Sequence, residues 1–227
     1  MSLEQNPYPP SLAVSARSYG FLGGSGSSYR ATKRGFDVLA TLAMAPLALA
    51  VIGILALLIR CLDRQGAFFC QPRLGKDGRQ FNLWKLRTMV PDADRRLEEY
   101  LAANPAARAE WDRTQKLRHD PRITPLGHYL RKYSLDELPQ LFNVLRGDMS
   151  LVGPRPMFPQ QWASYPGTAY LALRPGLTGL WQIGARNQST FAERAIYDAR
   201  YAGTMSFGTD LWILMKTPAV VFRGTGL

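Results

Sequence analysis

Asp136 and Glu137 stand side by side in KYSLDELPQLFNVL. Lys85 and Arg87 lie in KLRTM, Arg131 comes five residues before Asp136, and Arg155 is held between two prolines in GPRP. A carboxylate can attack phosphorus and form an acyl phosphate. Phosphoryl transfer needs positive charge around the transferring group more than covalent machinery, and a pinned guanidinium suits bidentate phosphate binding. Adjacent carboxylates on a helix diverge by about 100°, so this pair does not flank one sugar carbon as glycosidase carboxylates do. At a helix N-terminus both can stay ionised, one binding a divalent cation while the other attacks or takes a proton. The same residues also read as dipole-favourable capping, with each cation a solvated or lipid-facing charge. His119 and His128 have no second ligand at metal spacing and read as surface or structural residues.

The elements that would carry these groups follow from pattern. Ser134 reads as the N-cap of a helix over Arg131–Leu145, with both carboxylates in its first turn and Pro139 near its start. Gly66–Met89 reads as short strands around the Lys76-Asp77-Gly78 turn. Asp92–Lys116 reads as helical, split in two by Pro105. Gly153–Pro156 is a rigid extended loop. Phe191–Ala202 is a short helix, and apolar Leu211–Phe222 packs in the core or lies in a membrane interface.

The first third is dominated by Val38–Ile59, twenty-two residues without a charge. As a straight helix it reaches roughly 33 Å, close to the ~30 Å hydrocarbon thickness. Pro46 inside the run predicts a sharp kink. Both flanks are basic, Lys33 and Arg34 before and Arg60 and Arg64 after, and positive flanks prefer the cytoplasm. A re-entrant helix bent at Ala45-Pro46 satisfies both ends; a true span and a buried helix are the alternatives. The chain has 227 residues, 28 Lys and Arg against 17 Asp and Glu, and a net charge of +11. That excess calls for an anionic partner, and the apolar run assigns it to anionic lipid rather than nucleic acid. Cys61 and Cys70 form no C-x-x-C pair and read as free thiols. The polar, Ser-, Gly- and Pro-rich start has no signal-peptide pattern and reads as a flexible tail.

The segments KRGFDVLATLAMAPLALAV, FFCQPRLGKDGRQFNLWKLRTM, DPRITPLGHYLRKYSLDELPQLFNVLRGDMSLVGPRP and RPGLTGLWQIGARN occur in this order. Together they resemble the bacterial sugar transferases, the monotopic polyprenol-phosphate phosphoglycosyl transferases that begin capsule, O-antigen and exopolysaccharide synthesis. The resemblance runs from about Lys33 to the C-terminus and implies an α/β fold, mostly helical with few short strands. It implies a tail over 1–30, a proline-kinked re-entrant membrane helix over 31–62, and a cytoplasmic catalytic domain with interfacial amphipathic helices over 63–227. It implies a UDP-sugar donor, undecaprenyl phosphate as acceptor, and Mg²⁺ with Mn²⁺ as the alternative ion. Asp136 would be the nucleophile and sit near the metal, with Glu137 its partner in metal and proton handling. Lys85 and Asp198 match family positions required for catalysis, although Leu86 replaces the usual Phe of KFRTM. Arg131, Arg155, Arg87 and Arg73 would bind substrate. GARN departs from the usual GRN, which weakens any role for Arg186. The segment between KLRTM and DPRIT resembles members using a neutral hexose, so UDP-galactose or UDP-glucose leads over N-acetylated donors. The expected setting is the cytoplasmic face of the inner membrane, with anionic lipids as partners and a homodimer as an option. A non-catalytic scaffold in polysaccharide assembly is the competing reading.

Overall fold

The computed structural model describes residues 27–64, 66–114, 117–184 and 189–224. The expected tail as far as residue 26, and Ala185, Arg186 and Asn187 of the GARN segment, lie outside them. The chain is mostly helical with a few short strands. Helix α1, Ser27–Leu62, is built from alanine, leucine, methionine and isoleucine, and Pro46 lies inside it. It begins at Ser27, so the last residues assigned to the tail form its first turn. Among the described residues it is the one helix long and apolar enough to cross a membrane. Leu39, Leu42, Leu47, Leu49, Ile54, Leu57 and Leu62 on it are all exposed.

Two compact units form. One gathers the described residues up to Pro46 with Cys70–Trp84 and Gln140–Val220; the other gathers Leu47–Phe69, Lys85–Pro139 and the chain from Val221. Strands β1 (Phe68–Leu74) and β2 (Gln80–Leu86) pair. The turn between them is where the Lys-Asp-Gly signal put it, with Asp77 and Gly78 at φ 58° and 76°. That left-handed pair is cheap for aspartate and glycine.

In the first unit, β3 (Ser150–Val152) pairs in parallel with β4 (Gly176–Thr178), Ser150 opposite Gly176 and Val152 opposite Thr178. A side chain at Gly176 would strike the Gly153 backbone, so glycine is what allows this approach. A core of Leu74, Met157, Tyr165, Tyr170, Leu171 and Ala195 forms beside it. Tyr29, Lys33 and Asp37 recur every four residues on one face of α1. Asp37 accepts from Ser150 Oγ at 2.7 Å and from the Leu151 amide at 3.2 Å. Lys33 pairs with Asp210 at 2.7 Å, and Arg34 donates to the Val144 and Leu145 carbonyls.

In the second unit, Ile59, Leu86 and Leu130 form a core joined by Leu55, Leu126 and Leu135. Helices α2 (Ala93–Ala103) and α3 (Pro105–Thr114) are separate, as Pro105 requires. Helix α4 spans Pro125–Lys132, with Thr124 as N-cap accepting from the Gly127 amide. The single helix expected over Arg131–Leu145 is not formed. Leu135–Glu137 is a 3₁₀ turn, and α5 starts only at Gln140 and ends at Arg146. Ser134 takes a left-handed conformation, φ 55°, and its side chain makes no capping bond. The break has a local cause: a left-handed residue ends α4, and Pro139 lacks the N–H that an unbroken helix would use.

Candidate active site

Lys85 lies one residue before Leu86 near the end of β2. Leu86 enters the core, and strand alternation turns Lys85 the other way. The chain beyond stays extended, with Thr88 O accepting from the Thr124 amide and Met89 bridging to Ile123. Helix α4 comes close because residue 127 is glycine; a Cβ there would lie 2.2 Å from Thr88 O. That approach lets Arg131, in the last turn of α4, donate from Nε to Thr88 Oγ1 at 2.8 Å. Ser134 then turns the chain, and the 3₁₀ turn presents the carboxylates.

Asp136 and Glu137 project about 120° apart on such a turn, yet one ammonium meets both. Lys85 Nζ is 3.4 Å from Asp136 Oδ2 and 3.1 Å from Glu137 Oε1. The side chains are largely shielded, at 18%, 8% and 14% exposure respectively, so charge interactions there exceed their strength in water. Arg131 is pulled down in pKa chiefly by burial, and the charge of Asp136 opposes that. Two carboxylates therefore converge on one cation, with Arg131 near enough for the Asp136 charge to act on it.

This donor set suits Mg²⁺, which is commonly held by one or two carboxylates plus substrate phosphates and waters. Among the described residues no cluster of three or more His, Cys, Asp or Glu gathers. Asp136 and Glu137 could hold such an ion, with phosphates completing the shell. Arg87 is placed differently. It donates to the Gly66 and Phe68 carbonyls at 2.8 and 3.4 Å and lies over the Phe69 ring.

Arg73, Arg155 and Asp198 belong to the first unit. The Arg73 guanidinium lies 3.5 Å from the centre of the Phe158 ring. Helix α6 (Leu180–Ile183) carries Trp181, whose ring has Arg155 at 5.9 Å and Arg194 at 5.0 Å. Asp198, on α7 (Arg194–Thr204), is buried and accepts from Tyr165 Oη at 2.6 Å. Burial pushes its carboxyl up to about 6, against the Tyr165 hydrogen bond and the Arg194 charge.

Arg194, which the sequence reading did not name, lies beside Arg155 and Trp181. It is buried, donates to the Arg155 carbonyl at 2.7 Å, and leaves Nε without a partner. Burial first, then the Arg155 charge, lowers its pKa. Two guanidiniums on one indole, with one carboxylate of raised pKa nearby, make a place fit for an anion. The signal was available: Arg194 and Asp198 are four apart, which puts them on one helical face.

Set against known proteins, the chain matches the bacterial sugar transferase family model over residues 28–224. It is 47% identical to the exopolysaccharide production protein ExoY of Sinorhizobium fredii, over 83% of this chain and 85% of that protein. It is 44% identical to a UDP-galactose-lipid carrier transferase of Erwinia amylovora and 46% to an undecaprenyl-phosphate galactose phosphotransferase of Salmonella typhimurium. Those matches cover 88% and 72% of this chain but only 42% and 35% of the two relatives.

Proposed function

The chain belongs to the bacterial sugar transferase family, and on that premise we propose that it moves a hexose 1-phosphate from a UDP-sugar to undecaprenyl phosphate and releases UMP. The observation that carries the proposal is the convergence of Asp136 and Glu137 on Lys85 at 3.4 and 3.1 Å. In the first step an Asp136 oxygen attacks the sugar-linked phosphorus. The bond from that phosphorus to the bridging oxygen breaks, and UMP leaves with the electron pair. In the second step a phosphate oxygen of undecaprenyl phosphate attacks the same phosphorus and Asp136 leaves as carboxylate. Lys85 balances the charge that gathers on the phosphoryl oxygens, and Arg131 binds phosphate from the same unit. Glu137 takes part in metal and proton handling. Mg²⁺, or Mn²⁺, held by Asp136 and Glu137 would neutralise the donor diphosphate. For Arg155 and Arg73, in the first unit, substrate binding remains what the family resemblance implies.

The donor is UDP-galactose or UDP-glucose; the Erwinia and Salmonella relatives are named for galactose. A UDP-N-acetylated sugar is the alternative. The reaction takes place at the cytoplasmic face of the inner membrane, as the first membrane step of exopolysaccharide, O-antigen or capsule synthesis.

A UMP-release assay across UDP-sugars with undecaprenyl phosphate and Mg²⁺ tests this directly. With acceptor withheld, UMP should appear as a burst of about one per enzyme and then stop. Asp136→Asn should remove both burst and turnover, a loss of about 10³-fold or more. Full activity in that variant overturns the assignment of Asp136, and no UMP release by the wild type with any donor revives the scaffold reading.

A further inference from the structure

A cavity of about 60 Å³ opens in the first unit between the first turns of α1 and the loops that hold Lys76 and Arg174. It is larger than one water needs and far smaller than the ~300 Å³ or more expected of a pocket for a ligand the size of a nucleotide sugar. Its ionisable lining is lopsided: Arg30, Lys33, Arg34, Lys76 and Arg174 face it against the single carboxylate of Asp37. Asp37 is spoken for by Ser150 Oγ and the Leu151 amide. Lys33 is held by Asp210, and Arg34 by two carbonyls. The other three cations have spare capacity. Among the described residues Arg30 has no hydrogen bond or ion pair. Lys76 has only a loose 3.9 Å approach to Asp77, and Arg174 uses Nε alone, on the Gly147 carbonyl. The Tyr29 and Tyr201 phenols also line the cavity, and burial pushes both up in pKa, so neither adds negative charge.

The height of this cavity along α1 is informative. Its helical wall is Tyr29–Asp37, and the apolar run begins at Val38. At 1.5 Å per residue Arg34 lies about 6 Å and Arg30 about 12 Å from that start. The polar headgroup layer is roughly 5–8 Å deep on each side of the hydrocarbon. Arg34 falls within that layer and Arg30 just outside it, so lipid phosphates are the nearest anions to this cavity. Only this flank of α1 sets the level of the cavity, whether the helix crosses the bilayer or returns.

We infer that Arg30, Lys76 and Arg174 form a binding site for the phosphate of an anionic lipid, seated at the base of α1 and built without the carboxylate pair. It rests on α1 entering a membrane, as in the proposed function, but not on any catalytic step. The site takes a phosphate monoester or diester carried by a lipid, either an acidic phospholipid or the polyprenyl phosphate acceptor.

The test uses the full chain purified in detergent and reads its melting temperature as ligand is added, which needs no turnover. Short-chain phosphatidylglycerol, a short polyprenyl phosphate and inorganic phosphate are titrated separately. Wild type should show a saturable upward shift with at least one lipid phosphate and none with inorganic phosphate at the same concentrations. The triple variant Arg30→Gln/Lys76→Gln/Arg174→Gln should need about tenfold more lipid or lose the shift. The variant Arg95→Gln/Arg96→Gln/Arg108→Gln, which loses the same charge elsewhere, should respond as wild type. The inference is overturned if the two triple variants lose the shift equally, since the attraction is then diffuse, or if neither does. Inorganic phosphate acting as well as lipid overturns it too, because the site then reads a free ion. Because no outcome depends on UMP release, loss of the transferase reading leaves this result interpretable.

Discussion

Asp136 and Asp198 are both buried carboxylates in different company. Asp136 meets the Lys85 ammonium at 3.4 Å, while Asp198 meets the Tyr165 phenol, with Arg194 acting at longer range. The phenol and the guanidinium do not offset the burial of Asp198, whose carboxyl is pushed up to about 6. A carboxyl whose folded pKa lies above its unfolded value binds its proton more tightly when folded. Its stabilising contribution is full below the unfolded pKa near 4 and is lost as pH rises through 6. Above that, folding carries an ionised buried group at a cost of about 2–3 kcal/mol. Asp198→Asn removes the ionisation and keeps an oxygen for Tyr165. Relative to wild type, its melting temperature should therefore rise between pH 4.5 and pH 7.5. A pH-independent difference between the two proteins would show that Asp198 does not titrate in this range. If Asp198 also serves catalysis, the variant will be more stable and less active at pH 7.5, a pairing typical of strained functional groups.

Helix α4 is the element that converts packing into site geometry. Thr124 caps it and also donates from Oγ1 to Asp63 at 2.9 Å; Gly127 admits the Thr88 backbone, and Arg131 meets the Thr88 hydroxyl. Thr124→Ala removes a cap and should lower stability by about 1 kcal/mol while leaving UMP release near wild type. Gly127→Ala is a different change. Its Cβ would press on backbone 2.2 Å away, and backbone cannot rotate aside. The variant should lose more stability than Thr124→Ala and also lose activity, because α4 must move and carry Arg131 with it. Equal activity in the two variants would show that Arg131 is not positioned this way. The same region shows what was legible in the sequence. The Asp136-Glu137 pair, Lys85 and Arg131 were readable from residue type and spacing, as was the split of α2 from α3 at Pro105. The left-handed Ser134 was not, because serine before two acidic residues has the signature of a capped helix. Nor was the β3–β4 pairing: each strand has three residues, and its pairing is long-range. The bonds from α1 to Ser150 and Asp210 join residues more than a hundred positions apart, which no local pattern encodes.

At the scale of the molecule the question is how a chain of charge +11 meets a bilayer with one long apolar helix. Helix α8 (Phe207–Phe222) adds exposed Phe207, Leu211, Trp212, Met215 and Phe222, a set suited to lying in an interface. The two ends of the apolar run of α1 carry the same sign of charge, and each prefers the cytoplasm. A straight span must put one of them outside, so the re-entrant arrangement satisfies charges that the span cannot. The native thiols make this measurable. Cys61 and Cys70 are both exposed and unpaired with each other. In a Cys61→Ser background, Cys70 reports the side of the region after α1. Adding Ala31→Cys, at an exposed position before Lys33, reports the side of the region ahead of it. Intact spheroplasts treated with a membrane-impermeant maleimide should label neither thiol. After lysis both should react at comparable rates. A span gives a different pattern, with one of the two labelled from outside and the other only after lysis. That result would rule out the re-entrant helix while leaving the 3.4 Å contact of Asp136 with Lys85 as it is.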